Sequence, residues 1–500
     1  MHMQKVARHP NFRLADDATA VGKLEALRMW WDEITEMGTR FGYYVNASKS
    51  CLILKSQELA SKAAEIFEGS NISIRHTGHR HLGAPLGNTS FKSEYISSLV
   101  KEWSGILENL VHHSKTQPHA AYSAFTKGVR HKLTYFMRTI PGLGEHLRPL
   151  DNIISERLLP SFFGCLLSPL ERKIMSLPPR LGGLGIPILE ELAEEEYSIS
   201  TAVTKSLVMA MADKEDCCGD ATILEEMLKK RETRYKDLYE NIVSKSDALL
   251  QRHLEEARKE GASSWLTALP LSQYDFALNK GEFRDGLLLR YGKNLPRLPD
   301  KCVCGEDATP THLINFRRGG YVIYRHNKLC DILAGQLATV CNDVEREPDL
   351  QAVDGETFTT RMTATEDSAK PDIRAHGFYR DGQNAFFDIQ LINPNSRSYL
   401  NKSVKKVFEN CESNKRNKYN ERILHVERGT FTPLIFSITG GYGPECKTFL
   451  KLLCNKICNK KNESFNDVIS IFKSKTLLYH FEIEPFMYTW VKKQQDNERL

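Results

Sequence analysis

The first ninety residues combine one long apolar stripe with several short apolar runs. Apolar side chains recur every three or four positions from about residue 22 onward, which predicts an amphipathic helix. The stripe consists of Leu24, Leu27, Trp31 and Ile34. The short runs predict strands near 12–14, 51–54 and 72–74 and a second helix near 59–67. The pattern therefore predicts an α/β segment over residues 1–90.

The middle of the chain has the pattern of successive helices. Residues 91–200 open with a further helical stripe, and prolines interrupt the helices that follow it. The stripe consists of Tyr95, Leu99, Trp103, Ile106 and Leu110. A glycine-rich loop at 177–186 lacks the Gly-Lys-Ser/Thr ending of a phosphate-binding P-loop. Residues 201–262 mix Glu with Lys and Arg, which predicts a linker of charged helices with a solvated face.

The last part of the chain, residues 321–500, has the pattern of an α/β domain. A helix at about 322–340 is followed by two strands, a helix, a strand and a helix. Side chains alternate along the strand at 386–391, so Phe387 and Ile389 face one side, while Asp388 and Gln390 face the other. Asp372 opens the neighbouring short strand. Carboxylates on adjacent strands are hard oxygen ligands, and we expect Asp372 and Asp388 to hold Mg²⁺.

The helix after this strand offers a basic partner for the two carboxylates. It begins near Ser403, and its apolar stripe consists of Val404, Phe408 and Cys411. Lys415 falls within about 20° of the same line. A lysine at the centre of the face that docks on a sheet is either catalytic or reaches past the end of the helix to solvent. Both interpretations of Lys415 remain open at this stage.

Composition limits the class of protein. The 500 residues are 41% hydrophobic and 26% charged, which is enough apolar material to bury a core. No apolar run approaches the length of about 18 residues that a transmembrane helix needs. The N-terminus has no apolar signal segment, and the twelve cysteines are therefore expected to be reduced thiols. We expect a nuclear or cytoplasmic protein that is not secreted.

The positive charge is concentrated in the last hundred residues. They hold 18 Lys+Arg and 11 Asp+Glu, which is a net charge of +7. Because the whole chain carries +5, the first 400 residues carry a net charge of −2. A basic C-terminal segment suits a polyanionic partner such as nucleic acid. On charge alone, a solvated basic surface is an equal alternative.

Several motifs occur in the order found in one family. The segment around Ala15-Asp16-Asp17 resembles the catalytic hairpin of a reverse transcriptase, and residues 42–50 and 82–87 follow at that family's spacings. Later stretches resemble the non-LTR retrotransposons whose proteins end in a restriction-like endonuclease. These stretches are residues 116–122 and 177–186, a Cys/His segment, Arg325-His326-Asn327, Lys370-Pro371-Asp372 and residues 387–390.

The resemblance implies a multidomain fold of α/β and α parts. It implies a truncated reverse-transcriptase palm at 1–90, a mostly helical thumb-like region at 91–200 and the charged linker at 201–262. It further implies a linker with a Cys/His knuckle at 263–320 and a restriction-endonuclease-like α/β domain at 321–500. Asp16 and Asp17 would form half of a two-metal site. The fingers and the strand with the partner aspartate are lacking, so reverse transcription is not expected from this chain alone. For the Asp-Asp pair alone, a polar hairpin turn is the alternative.

The resemblance also implies roles for particular residues. In the common pattern of restriction-like nucleases, the catalytic lysine would stand at Gln390, whereas this lineage takes it from the following helix, where Lys415 is the first choice. Lys418 and Tyr419 are second choices and candidate nucleic-acid contacts. Arg325-His326-Asn327 is expected to belong to the endonuclease core and contact a phosphate. The alternative is a helical turn with a structural histidine.

A second metal site is incomplete in the sequence. Cys302, Cys304 and His312 are three potential zinc ligands, and the fourth position of the family pattern is Phe316. Three ligands do not close a tetrahedral structural site. The sequence therefore favours loss of zinc or weak binding.

Two hypotheses of function follow. The first is a retrotransposon-derived protein with a Mg²⁺-dependent DNA endonuclease that nicks a target site, attached to an incomplete and inactive reverse transcriptase. The second is a catalytically dead remnant that only binds nucleic acid through its basic C-terminal part. Both imply DNA, together with the RNA of the element, as partners, and neither implies a membrane.

Overall fold

The computed structural model describes residues 11–14, 17–213, 221–271, 277–296, 298–302, 304–316, 320–351, 370–465 and 468. The chain is a mixed α/β protein in which helices predominate and the sheets are small. It divides into two compact units. The first takes the chain up to residue 109 together with 128–154 and 188–236. The second takes 110–127, 155–187 and the chain from 237 onward.

The N-terminal part alternates short strands with helices. Its elements are β1 (Asn11–Leu14), β2 (Asp17–Ala20), α1 (Leu24–Gly38), β3 (Cys51–Ile53), α2 (Ala60–Ile66), β4 (Ser73–Arg75), β5 (Gly78–His81), β6 (Ala84–Gly87) and α3 (Thr89–Ser114). The strands pair in twos: β1 with β2 and β5 with β6 are antiparallel, and β3 with β4 is parallel. The predicted stripe of α1 is confirmed, because Leu24, Leu27 and Trp31 pack against a small core around Leu52 and Phe67.

The middle of the chain is helical, as the pattern predicts. Its elements are α4 (Pro118–Ala124), α5 (Arg130–Thr139), α6 (Arg148–Ile153), α7 (Leu159–Phe163), α8 (Pro169–Ser176), α9 (Leu189–Asp213), α10 (Ala221–Lys245) and α11 (Ala248–Ala257). Within the described residues, no helix combines the length and the apolar character that crossing a membrane requires.

The remaining elements are α12 (Ser264–Thr267), α13 (Lys280–Arg290), α14 (Pro310–Asn315), α15 (Tyr321–Ala338), β7 (Val344–Arg346), β8 (Ile373–His376), β9 (Asn384–Ile392), α16 (Val404–His425), β10 (Thr430–Ser437) and α17 (Pro444–Lys461). The last four strands form one sheet in the order β10-β9-β8-β7. β9 and β10 are parallel, and the other two pairs are antiparallel. The predicted order of elements is confirmed, with β7 as an addition.

Helices cover both faces of this sheet. On one face, Leu333 of α15 and Phe449 of α17 pack against Phe387 and Ile389 of β9. On the other face, Val407 and Phe408 of α16 pack against the sheet. Ser403 caps α16, because its side chain accepts a hydrogen bond from the Lys406 N–H at 3.3 Å. The parallel β9-α16-β10 unit therefore places α16 against β10, on the face of the sheet that carries Asp388.

α11 departs from the solvated linker that the charge mixture predicts. Glu256 is 1% exposed, and it accepts hydrogen bonds of 2.6 Å from Asn395 and from Thr439. Arg252 donates to the carbonyls of Pro394 and Tyr399. Burial raises the pKa of the Glu256 carboxyl, although its hydrogen bonds act in the opposite direction. The solvated interpretation is wrong for these two residues, because they satisfy polar groups that follow the ends of β9 and β10.

The glycine-rich loop at 177–186 is a buried part of the second unit. The buried Tyr291 hydroxyl donates to the Gly182 carbonyl at 2.9 Å, and the Tyr122 hydroxyl donates to the Leu184 carbonyl at 2.8 Å. A Cβ atom on Gly183 would overlap the main-chain carbonyl oxygens of Leu177 and Ile174. The close approach of these backbones therefore requires glycine at this position.

Gly183→Ala is expected to lower the free energy of unfolding by about 1–3 kcal/mol, because the backbone must shift to admit the methyl group. Chemical denaturation monitored by circular dichroism measures this change. Gly335→Ala in α15 is the matched control, since its Cβ meets nothing within 4 Å. That helical substitution is expected to stabilise the protein by up to about 1 kcal/mol. Equal effects of the two substitutions would contradict the packing argument.

Candidate active site

The register of β8 and β9 brings two aspartates together. Ile373 pairs with Phe387, so Asp372 stands opposite Asp388 one step beyond the end of β8. The Ile389 N–H donates to Asp372 Oδ2 at 2.6 Å, which ties the two strands at this level. Asp388 shares its face of the sheet with Phe386, under α16, and is 3% exposed. The two aspartates therefore occupy paired positions on neighbouring strands, and the charge of Asp372 acts on Asp388.

Lys415 of α16 reaches this point from above. Its Nζ lies 2.5 Å from Asp388 Oδ2, and the Lys415 side chain keeps 24% of its surface exposed. Burial raises the pKa of the Asp388 carboxyl, and the negative charge of Asp372 adds to this effect. The ammonium of Lys415 acts in the opposite direction and offsets part of the shift. The arrangement is a buried carboxylate with one neighbouring cation and access to solvent on the lysine side.

Tyr419 lies one turn further along α16, and it is buried. Its hydroxyl donates to the Lys370 carbonyl at 3.2 Å. Burial raises the pKa of this phenol above its usual range, and the charge of Asp388 raises it further. Tyr419 is therefore a neutral hydrogen-bonding group at neutral pH. Lys418 is exposed, and its Nζ lies 5.2 Å from the centre of the Tyr419 ring.

His326 of α15 contacts Asp372 from the face of the sheet opposite α16. Its Nε2 lies 3.1 Å from the Ile389 carbonyl oxygen and 3.4 Å from Asp372 Oδ1. The hydrogen bond to Asp372 is the main reason that the pKa of this histidine rises to about 11. His326 is therefore an imidazolium at neutral pH in this arrangement. The Cys330 sulfur lies 3.7 Å from its Nδ1 and 3.8 Å from its Nε2.

Other candidate residues lie outside this cluster. Arg325 is 4% exposed, and its guanidinium donates to the Ile314 carbonyl at 2.7 Å. Asn327 is exposed next to His326.

Gln390 is half-buried on β9, opposite Ile435 of β10. Two other lysines of α16, Lys405 and Lys406, extend towards Glu409, with their Nζ atoms 3.8 Å and 3.6 Å from its carboxylate.

The N-terminal aspartates are only partly placed. Asp16 lies outside the described residues, and Asp17 opens β2, where it pairs with Leu14 of β1. An antiparallel hairpin therefore stands where the sequence predicts one. Its function as half of a metal site stays a prediction.

The three residues of the Cys/His segment lie together. Potential ligand atoms of Cys302, Cys304 and His312 are all within 4.8 Å of one another, and Cys304 Sγ lies 3.3 Å from His312 Nε2. The Phe316 ring, at the position of the fourth ligand, packs 5.4 Å from the His312 ring. The structure brings three candidate zinc ligands together, with an apolar ring next to them.

The contact of His326 with Cys330 and Asp372 was not expected from the sequence. Residues four apart on a helix lie on one face, so the spacing of His326 and Cys330 is a signal that could have revealed the pair. The contact with Asp372 depends on the packing of α15 against the sheet, and helical spacing does not show it.

Comparison of the chain with protein-family models and with curated proteins gave no match to either.

Proposed function

We propose that residues 321–500 of this chain form a Mg²⁺-dependent DNA endonuclease that nicks one strand of a duplex. The observation that carries the proposal is the position of Lys415 Nζ, 2.5 Å from Asp388 Oδ2, where Asp388 stands opposite Asp372. Paired carboxylates can hold a catalytic metal ion, and an adjacent lysine is expected from the resemblance to restriction-like nucleases. The resemblance to retrotransposon endonucleases supports the same reaction.

The residues at this point fit a hard cation. Asp372, Asp388 and the Ile389 carbonyl present only oxygen atoms, which Mg²⁺ prefers. Burial and the charge of Asp372 raise the pKa of Asp388 by more than Lys415 lowers it, and a bound cation would favour the ionised carboxylate. When bound by Asp372 and Asp388, Mg²⁺ supplies an activated water and neutralises charge at the scissile phosphate.

The protein's own groups then have distinct tasks. The Lys415 ammonium donates to a phosphate oxygen and stabilises the charge that develops there. Tyr419 holds the main chain of Lys370, two residues before Asp372. In the reaction, the oxygen of water bonds to phosphorus and the bond from phosphorus to the 3′ oxygen breaks. The products are a 5′ phosphate and a 3′ hydroxyl, and the latter can prime DNA synthesis.

The test is a nicking assay on supercoiled plasmid with the purified full chain. Relaxed circles are expected with Mg²⁺ and not with EDTA. Asp372→Asn and Asp388→Asn are each expected to lower the rate by more than about 10²-fold, because several kcal/mol of charge stabilisation are lost. Asp381→Asn, at an exposed carboxylate between β8 and β9, is the matched control and should retain the rate. Nicking that persists in both site variants, or is absent from the native chain, would overturn the proposal.

A second candidate function is nucleic-acid binding without catalysis. The contact of His326 with Asp372 favours it, because an imidazolium already neutralises one of the two carboxylates. The net charge of +7 in residues 401–500 supports binding of a polyanion. In that case the affinity for DNA should fall steeply with salt while nicking is absent, since phosphate neutralisation releases counterions. Equal affinity at low and physiological salt in a fluorescence-anisotropy titration would argue against it.

We also propose that the N-terminal part is related to the palm of a reverse transcriptase. The antiparallel pairing of β1 with β2, in which Leu14 stands opposite Asp17, supports the lineage.

A further inference from the structure

A cluster of three different metal-binding side chains includes Asp372, one of the two aspartates of the candidate active site. His326 and Cys330 are four residues apart on α15, and Asp372 precedes β8. Potential ligand atoms of the three residues all lie within 4.8 Å of one another. A nitrogen, a sulfur and an oxygen ligand together differ from the all-oxygen set at Asp388, and they suit Zn²⁺ rather than Mg²⁺.

We propose that His326, Cys330 and Asp372 form a binding site for Zn²⁺ or a similar borderline-soft divalent cation. The site shares Asp372 with the proposed Mg²⁺ site, so a cation held here removes that carboxylate from the hard metal. The binding claim rests on the three side chains alone. Its consequence, inhibition of nicking by zinc, rests on the proposed function.

The distances fit a tetrahedral zinc site. Bonds of about 2.0–2.3 Å at tetrahedral angles place nitrogen and oxygen ligands about 3.4 Å apart, and nitrogen and sulfur ligands about 3.6 Å apart. His326 Nε2 lies 3.4 Å from Asp372 Oδ1 and 3.8 Å from Cys330 Sγ. These two separations are within a few tenths of an ångström of the tetrahedral values, and the third, between Asp372 and Cys330, is within 4.8 Å.

The surroundings permit entry of a cation. The His326 side chain keeps 30% of its surface exposed, and Asp372 keeps 14%, so an ion reaches the cluster from their side. Cys330 is fully buried and closes the inner end. To bind the cation, the Cys330 thiol and the His326 imidazolium must each lose a proton, and coordination to a divalent cation brings this about. The Ile389 carbonyl oxygen lies 3.1 Å from His326 Nε2 and is available as a fourth ligand.

Cobalt substitution tests the site directly, because a cobalt–thiolate bond gives a charge-transfer absorption. The full chain carries Cys304→Ser, so that the separate Cys302, Cys304 and His312 cluster loses a ligand. One equivalent of Co²⁺ is expected to bind with this absorption, and Zn²⁺ is expected to displace it. Adding Cys330→Ser should abolish the absorption and weaken binding at least about 10-fold. Cys446→Ser, at another fully buried cysteine of the same core, is the matched control and should leave the spectrum unchanged.

His326→Gln is a second test, because it removes a ligand at a partly exposed position and does not change the buried core as Cys330→Ser does. It should weaken Co²⁺ binding while circular dichroism stays native. A spectrum that Cys330→Ser leaves intact, or affinity that His326→Gln leaves intact, overturns the site. Zinc should also slow nicking in excess Mg²⁺, and Cys330→Ser should resist this inhibition. If Co²⁺ binds but neither the native chain nor any variant nicks DNA, the proposed nuclease function is wrong and the proposed metal site is still supported.

Discussion

Replacing Lys415 by methionine is expected to lower the rate of Mg²⁺-dependent nicking by at least about 10²-fold, because an aligned charge donor at a scissile phosphate contributes a factor of that order. Methionine keeps much of the aliphatic length of lysine, so packing over Asp388 is largely retained. The ammonium 2.5 Å from Asp388 Oδ2 is what the substitution removes. Single-turnover nicking of supercoiled plasmid, with DNA affinity measured separately, distinguishes a lost catalytic group from weaker binding.

Two further lysines make the Lys415 result specific. Lys451→Met, at an exposed position on α17, should retain the rate. Lys406→Met removes a lysine on the same helix as Lys415, and its Nζ lies 3.6 Å from Glu409. A large loss in Lys406→Met with none in Lys415→Met would contradict the assignment of the lysine. Rescue of part of the rate by Lys415→Arg would support a charge contact, since guanidinium keeps the positive charge.

Local periodicity predicted the elements that build the site. Alternation along β9 placed Asp388 on the face opposite Phe387, and helical spacing placed Lys415 below Cys411 on α16. Both arguments need only the geometry of one element and the rule that apolar faces are buried. They succeed here because α16 connects two adjacent parallel strands and packs on the face of the sheet to which Asp388 belongs.

Local periodicity does not predict contacts between elements that are far apart in the sequence. β7 has three residues, Val344–Arg346, which is too short for an alternating pattern to be recognised. Glu256 and Arg252 have the sequence context of a solvated helix, yet they pack on residues about 140 positions later in the chain. His326 meets Asp372 because α15 lies against the sheet. Tertiary packing decides each of these, and one-dimensional patterns do not encode it.

Acid is expected to destabilise the second unit through two buried histidines. The pKa of His119 and that of His253 are each lowered to about 4, chiefly by burial. His119 Nδ1 accepts a hydrogen bond from the Leu278 N–H at 3.3 Å, and its ring stacks 5.3 Å from Phe283. His253 is 8% exposed beside Arg252, whose charge lowers its pKa further. Both side chains are therefore neutral in the folded protein.

The sign of the effect follows from proton linkage. A histidine whose pKa is lower in the folded state contributes its full stability above the unfolded value, near 6.5, and loses it as the pH falls towards 4. Each group accounts for up to about 3 kcal/mol across this window, since one pKa unit corresponds to about 1.4 kcal/mol. The free energy of unfolding, measured by denaturant titration at several pH values from 7.5 to 4.5, should therefore fall steeply below pH 6.5.

Variants separate the histidines from the carboxylates that also titrate in acid. His119→Asn and His253→Asn keep polar side chains but remove the titration, so each should lower stability at pH 7.5 and flatten its decline below pH 6.5. The difference in unfolding free energy between the native chain and each variant cancels the carboxylates, because they are common to both. A difference that stays constant from pH 7.5 to 4.5 would show that the two histidines are not buried in neutral form. A difference that narrows towards pH 4.5 locates the acid sensitivity in α4 and α11, the helices that hold His119 and His253.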